Sequence, residues 1–187
     1  RDRLRSRGLG DVYKRQTAHW AELLNFNTSD IDYTALKQLV GRSVQVKEDI
    51  VEQDPFEHGI RKALNLGHTV GHAFESMALA ENRPVLHGYA VAWGIVCELY
   101  LSHLKVGFPK EKMRQTIQFI KDNYGVFTFD CKKYEQLYAF MTHDKKNTSG
   151  TINFTLLKDI GDIRINQIAD KDTIFEMLDF YRECMGI

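Results

Sequence analysis

The sequence predicts a mainly α-helical domain, bundle-like in architecture, with one small β-hairpin near its C-terminus. Two observations support this fold class: apolar residues recur at helical spacing from Thr17 onward, and the period changes to strand alternation only beyond residue 150. The sequence also contains no GxGxxG motif, no P-loop and no alternation of strands with helices. We therefore expect no nucleotide-binding sheet within residues 17–187.

The helices are placed by their apolar period and bounded by residues that break helices. A turn with an N-cap at residues 27–30 separates the first two, Pro55 precedes the third, and residues 81–84 end it. Asp170 is the expected N-cap of the last helix. The predicted helices are Ala18–Asn25, Ile31–Val51, Glu57–Ala80, Ala90–Leu104, Pro109–Tyr124, Tyr134–Met141 and a C-terminal helix reaching Cys184.

The hairpin is predicted from two segments in which apolar and polar residues alternate. These segments are Thr151–Leu157 and Ile163–Asn166, and the turn-rich residues 158–162 join them.

Composition limits the classes of function. The chain has 187 residues, 43% hydrophobic and 27% charged, which suits one globular domain. The formal net charge is zero, and the excess of basic residues lies within residues 1–16, so we expect no nucleic-acid partner. No apolar run approaches the roughly 18 residues of a membrane span. Three widely spaced cysteines without a CxxC motif favour reduced thiols and a cytoplasmic protein.

Residues 1–16 differ in style from the rest of the chain. They are rich in arginine, show no helical or strand period, and lack the apolar centre of a signal peptide. A foreign or disordered leader is the interpretation we favour, and a nucleic-acid-binding arm is the alternative. The domain itself is then expected to span residues 17–187.

The most informative segment is residues 61–75, which contain Arg61, Asn65, His68, His72 and Glu75 at spacings of four, three, four and three. At about 100° per residue these side chains would share one face of the predicted helix Glu57–Ala80. A solvated face is normally filled with lysine and glutamate. This inventory instead predicts a wall of binding and proton-transfer groups.

Histidines in and after this segment suggest a metal site. His68 and His72 lie one turn apart, so both could reach one ion, and His87 follows a helix break that could return it to the same place. Two or three histidines with a carboxylate and an open position are typical of catalytic zinc. Glu75 is a candidate carboxylate, although a supporting role suits its position better. The alternative is a pair of helix histidines bonded to carbonyls or water.

Cationic residues near this segment suggest an anion site. Arg61 could bind a carboxylate or a phosphate through its two-pronged guanidinium. Lys47 in the preceding helix, and Lys145 and Lys146 before the first strand, are further candidate anion ligands. The alternative for each lysine is a solvated surface position.

At these residues the chain resembles the 3-dehydroquinate synthase family of sugar-phosphate cyclases. The resemblance extends over essentially the whole chain from Thr17, and it looks like the C-terminal helical domain of such an enzyme. The motifs that carry it, in order, are Lys47, Glu57–Arg61, Leu64–Glu75, His87–Ala92 and Asp144–Lys146.

The resemblance implies roles for individual residues. His68 and His87 would bind Zn²⁺ or Co²⁺, and Glu57 would contact the cofactor. Catalytic roles would fall to His72, Lys47, Arg61 and Asn65, which would also bind the substrate together with Lys145 or Lys146.

The family reaction is a carbon–oxygen lyase reaction of the shikimate pathway, which leads to the aromatic amino acids. It converts 3-deoxy-arabino-heptulosonate 7-phosphate to 3-dehydroquinate and phosphate, with transient oxidation by NAD. The resemblance implies a full-length homodimer whose N-terminal half binds NAD. The third metal ligand of the family is a glutamate just upstream of where the resemblance begins, at the place that residues 1–16 occupy here. Residues 1–16 contain no glutamate. We therefore expect this chain alone to be inactive.

Three alternatives remain at this point. A sister cyclase could act on a different sugar phosphate, and a metal-dependent alcohol or glycerol dehydrogenase could share the architecture. The cationic residues favour a cyclase, because a simple alcohol needs no phosphate-binding cluster. A helical interaction module without catalysis is the non-enzymatic alternative.

Overall fold

The computed structural model describes residues 16, 18–26, 29–143 and 151–187. The predicted fold class is confirmed, because helices dominate and the strands form one two-stranded antiparallel sheet. The elements are α1 (residues 18–24), α2 (Tyr33–Gln53), α3 (His68–Ala80), α4 (His87–Val106), α5 (Lys110–Tyr124), α6 (Tyr134–Thr142), β1 (Asn153–Asp159), β2 (Asp162–Ile168) and α7 (Lys171–Met185), with short 3₁₀ turns at Ile60–Asn65 and Cys131–Lys133.

Side-chain caps explain where two of the helices begin. Asp32 accepts hydrogen bonds from the backbone N–H groups of Thr34 and Ala35, and Asp170 accepts one from Thr173. Asp170 is the cap that the sequence predicts. The cap of α2 lies two residues beyond the predicted turn at 27–30, because the carboxylate of Asp32 is the group that accepts from the first N–H groups of α2.

The predicted helix Glu57–Ala80 is wrong in its first half. Residues Ile60–Asn65 form a 3₁₀ turn, Leu66 is extended, and α3 begins only at His68. The cause is Gly67, whose φ of 78° is left-handed and cannot continue a right-handed helix. The polar residues from Arg61 to Glu75 therefore do not share one helix face.

Helices α3 and α4 approach closely through glycines. A Cβ atom added at Gly94 would overlap the carbonyl oxygen of Gly67 and lie 2.6 Å from the backbone nitrogen of Gly71. The opposite side of α3 enters the core, where the ring of Phe74 packs against Phe127 and Tyr181. This packing fixes α3 and α4 relative to each other, and it brings their first residues close together.

The hairpin secures the segment that precedes α3. Thr155 donates its hydroxyl hydrogen bond to the carbonyl oxygen of Lys62 at 2.9 Å, and Thr69 donates to that of Asn153 at 3.0 Å. On α4, the hydroxyl of Ser102 accepts from the backbone N–H of Leu157 at 3.0 Å. The hairpin thus joins the 3₁₀ turn at Ile60–Asn65, the start of α3 and the middle of α4.

Among the helices of the described residues, none combines the length and the apolar character that a bilayer crossing requires.

Candidate functional site

Three histidine side chains meet where α3 and α4 begin. The ring centroids of His68 and His72 are 5.5 Å apart, those of His68 and His87 are 5.4 Å apart, and those of His72 and His87 are 5.7 Å apart. His68 is the first residue of α3 and His87 the first residue of α4. The structure therefore brings together all three histidines that the sequence singles out.

The ring of His68 is oriented by the backbone. Its Nδ1 lies 3.1 Å from the carbonyl oxygen of Leu66. A carbonyl can only accept, so Nδ1 carries a proton in this contact, and in the neutral ring Nε2 then carries the lone pair. That tautomer is the form of histidine that binds a divalent metal through Nε2.

Glu75 reaches the same cluster from the next turn of α3. Its Oε2 lies 3.3 Å from Nδ1 of His87, and ligand atoms of His72, Glu75 and His87 lie within 4.8 Å of one another. Imidazole nitrogens with a carboxylate form a donor set that suits Zn²⁺ or Co²⁺. The residues present thus fit a divalent metal. Glu75 lies closer to the histidines than its position in the sequence predicts.

A cleft of about 350 Å³ lies beside the histidines. It is lined by Lys47, Glu57, Arg61, Leu64, Asn65 and His68. Because His68 belongs both to this cleft and to the histidine cluster, the predicted metal and anion groups adjoin. Lys145 and Lys146, the other predicted anion ligands, lie outside the described residues.

Glu57 and Asn65, which both line this cleft, are joined by a hydrogen bond. The amide nitrogen of Asn65 donates to Oε1 of Glu57 at 2.6 Å. Glu57 has a φ of 59°, a left-handed conformation that is unfavourable for a residue with a side chain. The same pair lines a second cleft of about 490 Å³, whose other residues are Lys62, Thr69, Asn153, Phe154, Thr155 and Asn166.

Asp54 organises the loop that carries Arg61, and sequence reasoning missed it. Its carboxylate accepts hydrogen bonds from the backbone N–H groups of His58, Gly59 and Arg61 at 2.7–3.0 Å. These bonds, led by that of Gly59, lower the pKa of Asp54 against a smaller effect of desolvation. The guanidinium of Arg61 donates to the carbonyl oxygen of Pro55 at 2.6 Å. The aspartate–proline pair was the available signal, because aspartate often bonds to nearby backbone in turns.

Glu98 is the second residue that sequence reasoning missed. It lies in the middle of the largely apolar helix α4 and has no exposed surface. Its carboxylate accepts hydrogen bonds from the backbone N–H groups of Gly67, Thr69 and Val70. A lone acidic residue within an apolar helix was the signal, since a buried charge needs partners of this kind.

Comparisons with known proteins identify similar chains. A family model described as 3-dehydroquinate synthase C-terminal matches residues 8–147. The 3-dehydroquinate synthase of Parabacteroides distasonis is 58% identical over 90% of this chain and 48% of its own length. That of Leptospira interrogans is 40% identical over 84% of this chain and 42% of its own length. The chain thus spans about half the length of the curated relatives it matches.

Two solved structures share the fold at low sequence identity. A 2-deoxy-scyllo-inosose synthase complexed with carbaglucose-6-phosphate, NAD⁺ and Co²⁺ gives a TM-score of 0.64 at 17% identity, over 89% of this chain and 50% of that one. A 2-epi-5-epi-valiolone synthase from Streptomyces hygroscopicus with NAD⁺ and Zn²⁺ bound gives 0.67 at 19% identity, over 81% of this chain and 41% of that one. These likenesses concern the fold alone.

Proposed function

Because the chain belongs to the 3-dehydroquinate synthase C-terminal family, we propose that it forms the metal- and substrate-binding half of a 3-dehydroquinate synthase. The enzyme converts 3-deoxy-arabino-heptulosonate 7-phosphate to 3-dehydroquinate and phosphate. One observation carries the proposal: His68 lies in a cluster of three histidines and also lines a cleft with Lys47, Arg61 and Asn65. A metal-binding group and anion-binding groups are thereby adjacent, as a substrate with both hydroxyls and a phosphate requires.

The histidines provide the metal site of this proposal. His68 and His87 are the proposed ligands of Zn²⁺ or Co²⁺, with His72 beside them as the group that moves a proton. When bound, the metal would polarise a substrate hydroxyl, and NAD would supply the hydride transfer. Since the ring of His72 is about as near to His87 as that of His68 is, variants at each position are needed to assign the ligands.

The cations provide the substrate site. Lys47 and Arg61 are the proposed partners of the carboxylate or phosphate, joined by Lys145 or Lys146. Asn65 is held in place by Glu57 and is proposed to bond to a substrate hydroxyl. Glu57 is proposed to contact NAD, which would be bound mainly by the half of the relatives that this chain does not span. Residues 17–187 would then act as the C-terminal domain, inactive without that half and in a homodimer when joined to it.

A chimera tests this function. The chain from residue 17 replaces the matching half of the Parabacteroides distasonis enzyme, and phosphate release is measured with NAD, Zn²⁺ and the heptulosonate phosphate. We expect the chimera to be active and the 187-residue chain to be inactive. His68→Ala and His87→Ala should remove both activity and zinc, whereas Glu135→Gln, an exposed carboxylate on α6, should leave both unchanged.

Other outcomes of the same assay contradict parts of the proposal. A folded chimera without activity on the heptulosonate phosphate, but with activity on a hexose 6-phosphate, would favour a sister cyclase, as the fold shared with the inosose synthase allows. Turnover of a simple alcohol would favour a dehydrogenase. Zinc binding that persists in His68→Ala and His87→Ala would contradict the enzyme function, and the helical interaction module would be the remaining alternative.

A further inference from the structure

Glu98 provides the cap for the first turn of α3. Its Oε2 accepts from the backbone N–H of Gly67 at 2.6 Å, and its Oε1 accepts from Thr69 at 3.1 Å and Val70 at 3.3 Å. An N-cap side chain normally satisfies these N–H groups from within its own helix. Here the N-cap is Gly67, which has no side chain, so the carboxylate comes from α4.

Packing explains why α3 cannot supply its own cap. A Cβ atom at Gly67 would lie 2.5 Å from Cγ1 of Ile95 and 2.7 Å from the carbonyl oxygen of Val91. A serine or aspartate cannot fit there without separating α3 from α4. The close approach of the two helices therefore requires both a glycine at the N-cap and an acceptor on the facing helix.

The capped backbone is also the backbone that orients His68. Gly67 and Thr69, two of the residues held by Glu98, flank His68 in the sequence. The carbonyl oxygen that sets the tautomer of His68 belongs to Leu66, the residue before Gly67. Movement of the Gly67 N–H would move this carbonyl, because the two groups share one planar peptide unit.

The negative charge of Glu98 also favours a cation beside His68. The N-terminus of a helix carries a partial positive charge, which attracts anions and opposes a cation bound at its first residue. His68 is that first residue. A buried carboxylate bonded to the terminal N–H groups offsets the partial charge, and it makes a cation beside His68 less unfavourable.

We propose that Glu98 is a positioning residue of the metal centre: it holds residues 66–70 so that His68 presents Nε2 to the metal, and it neutralises the end of α3. This inference rests on the proposed function only for the identity of the ligand, a divalent cation. The orientation of His68 is independent of any bound metal.

The test compares Glu98→Gln with Ser102→Ala in the 187-residue chain. A carboxamide has one acceptor oxygen, so its NH₂ group would face a backbone N–H. Ser102 is equally buried one turn further along α4. Its hydroxyl accepts from the backbone N–H of Leu157 in the hairpin and donates to the backbone carbonyl oxygen of Glu98, and neither bond involves the Glu98 carboxylate. Two measurements are made: the Co²⁺ dissociation constant from visible absorption, and the imidazole ¹⁵N shifts of His68 at mildly alkaline pH without metal.

We expect Glu98→Gln to weaken Co²⁺ binding by about 10- to 100-fold and to remove the Nδ1–H signature of His68. Ser102→Ala should lower stability and change neither measurement. If both variants match the wild type in both measurements, the proposal is wrong. If the wild type binds no Co²⁺ either as this chain or in the chimera that supplies the third ligand, the metal function fails, while the His68 shifts still decide the positioning role.

If Glu98→Gln does not fold, amide hydrogen exchange provides a third measurement. In the wild type, the amide hydrogens of Gly67 and Thr69 should exchange slowly with solvent, and Glu98→Asp should accelerate them because its shorter side chain cannot reach both. Rapid exchange at Gly67 and Thr69 in the wild type would contradict the proposal without any variant.

Discussion

The carboxylate of Glu75 and the ring of His87 connect α3 to the first residue of α4. Glu75 Oε2 lies 3.3 Å from His87 Nδ1. When Nδ1 donates to the carboxylate, Nε2 keeps its lone pair, and a carboxylate behind a ligating histidine raises its basicity and fixes its ring. The contact therefore supports the candidate metal site from outside the histidine cluster.

Removing the charge of Glu75 should weaken metal binding. For Glu75→Gln we expect about a tenfold rise in the Co²⁺ dissociation constant, because the ring of His87 loses its charged partner. Absorption titration measures this, with Glu135→Gln as the control. An unchanged dissociation constant would mean that Glu75 neither orients His87 nor binds the ion.

The glycine contact between α3 and α4 should tolerate no side chain. Gly94→Ala should lower the free energy of unfolding by about 3 kcal/mol or more, since backbone atoms rather than flexible side chains block the new methyl group. At Gly41, on the exposed surface of α2, an added Cβ atom meets nothing within 4 Å. Gly41→Ala should therefore raise the free energy of unfolding by up to about 1 kcal/mol, because alanine favours the helix more than glycine does. Urea unfolding compares the two, and equal effects would contradict the packing described for Gly94.

Acid should destabilise the Arg61 loop through Asp54. Its folded pKa is lower than 3.8, so its stabilising effect is fully present above that value and is lost as the pH falls through the folded pKa. We expect the wild type to lose more stability than Asp54→Asn on acidification below pH 3.8. Unfolding midpoints across this range measure the difference. Equal losses of stability in the wild type and in Asp54→Asn would contradict this role of Asp54.

The thiols should react in a fixed order. Cys131 is exposed, whereas burial raises the pKa of Cys97 and raises the pKa of Cys184 to about 11. A thiol reagent at neutral pH should modify Cys131 first, because the thiolate is the reactive form and must be accessible. Cys131→Ser should abolish the fast phase of labelling. A fast phase that persists in this variant would assign the reactivity elsewhere.

Local sequence predicted most of the helices but not how the site is assembled. Spacing identified Arg61, Asn65 and His68, although it placed them on one continuous helix. They still line one cleft, because the 3₁₀ turn is bonded through Lys62 to Thr155 and therefore stays beside α3. The sequence supplied the residue types, and a contact between distant segments supplied their arrangement.

The features that sequence did not predict depend on tertiary structure. The cap that Glu98 gives to α3 requires α4 to lie against it, and no spacing rule connects residues 67 and 98. The left-handed φ of Glu57 is equally invisible in sequence, since residues other than glycine rarely adopt it. Both features occur at the candidate site.

The hydrogen bonds between the hairpin and the 3₁₀ turn have a consequence for folding order. His87 and Glu75 are 12 residues apart, whereas Thr155 and Lys62 are 93 apart. Closing the longer loop costs more chain entropy and is slower. We infer that the histidine cluster assembles before the anion cleft does. A divalent ion present during refolding would then bind an intermediate in which α3 and α4 have docked and the hairpin has not, and it would stabilise that intermediate.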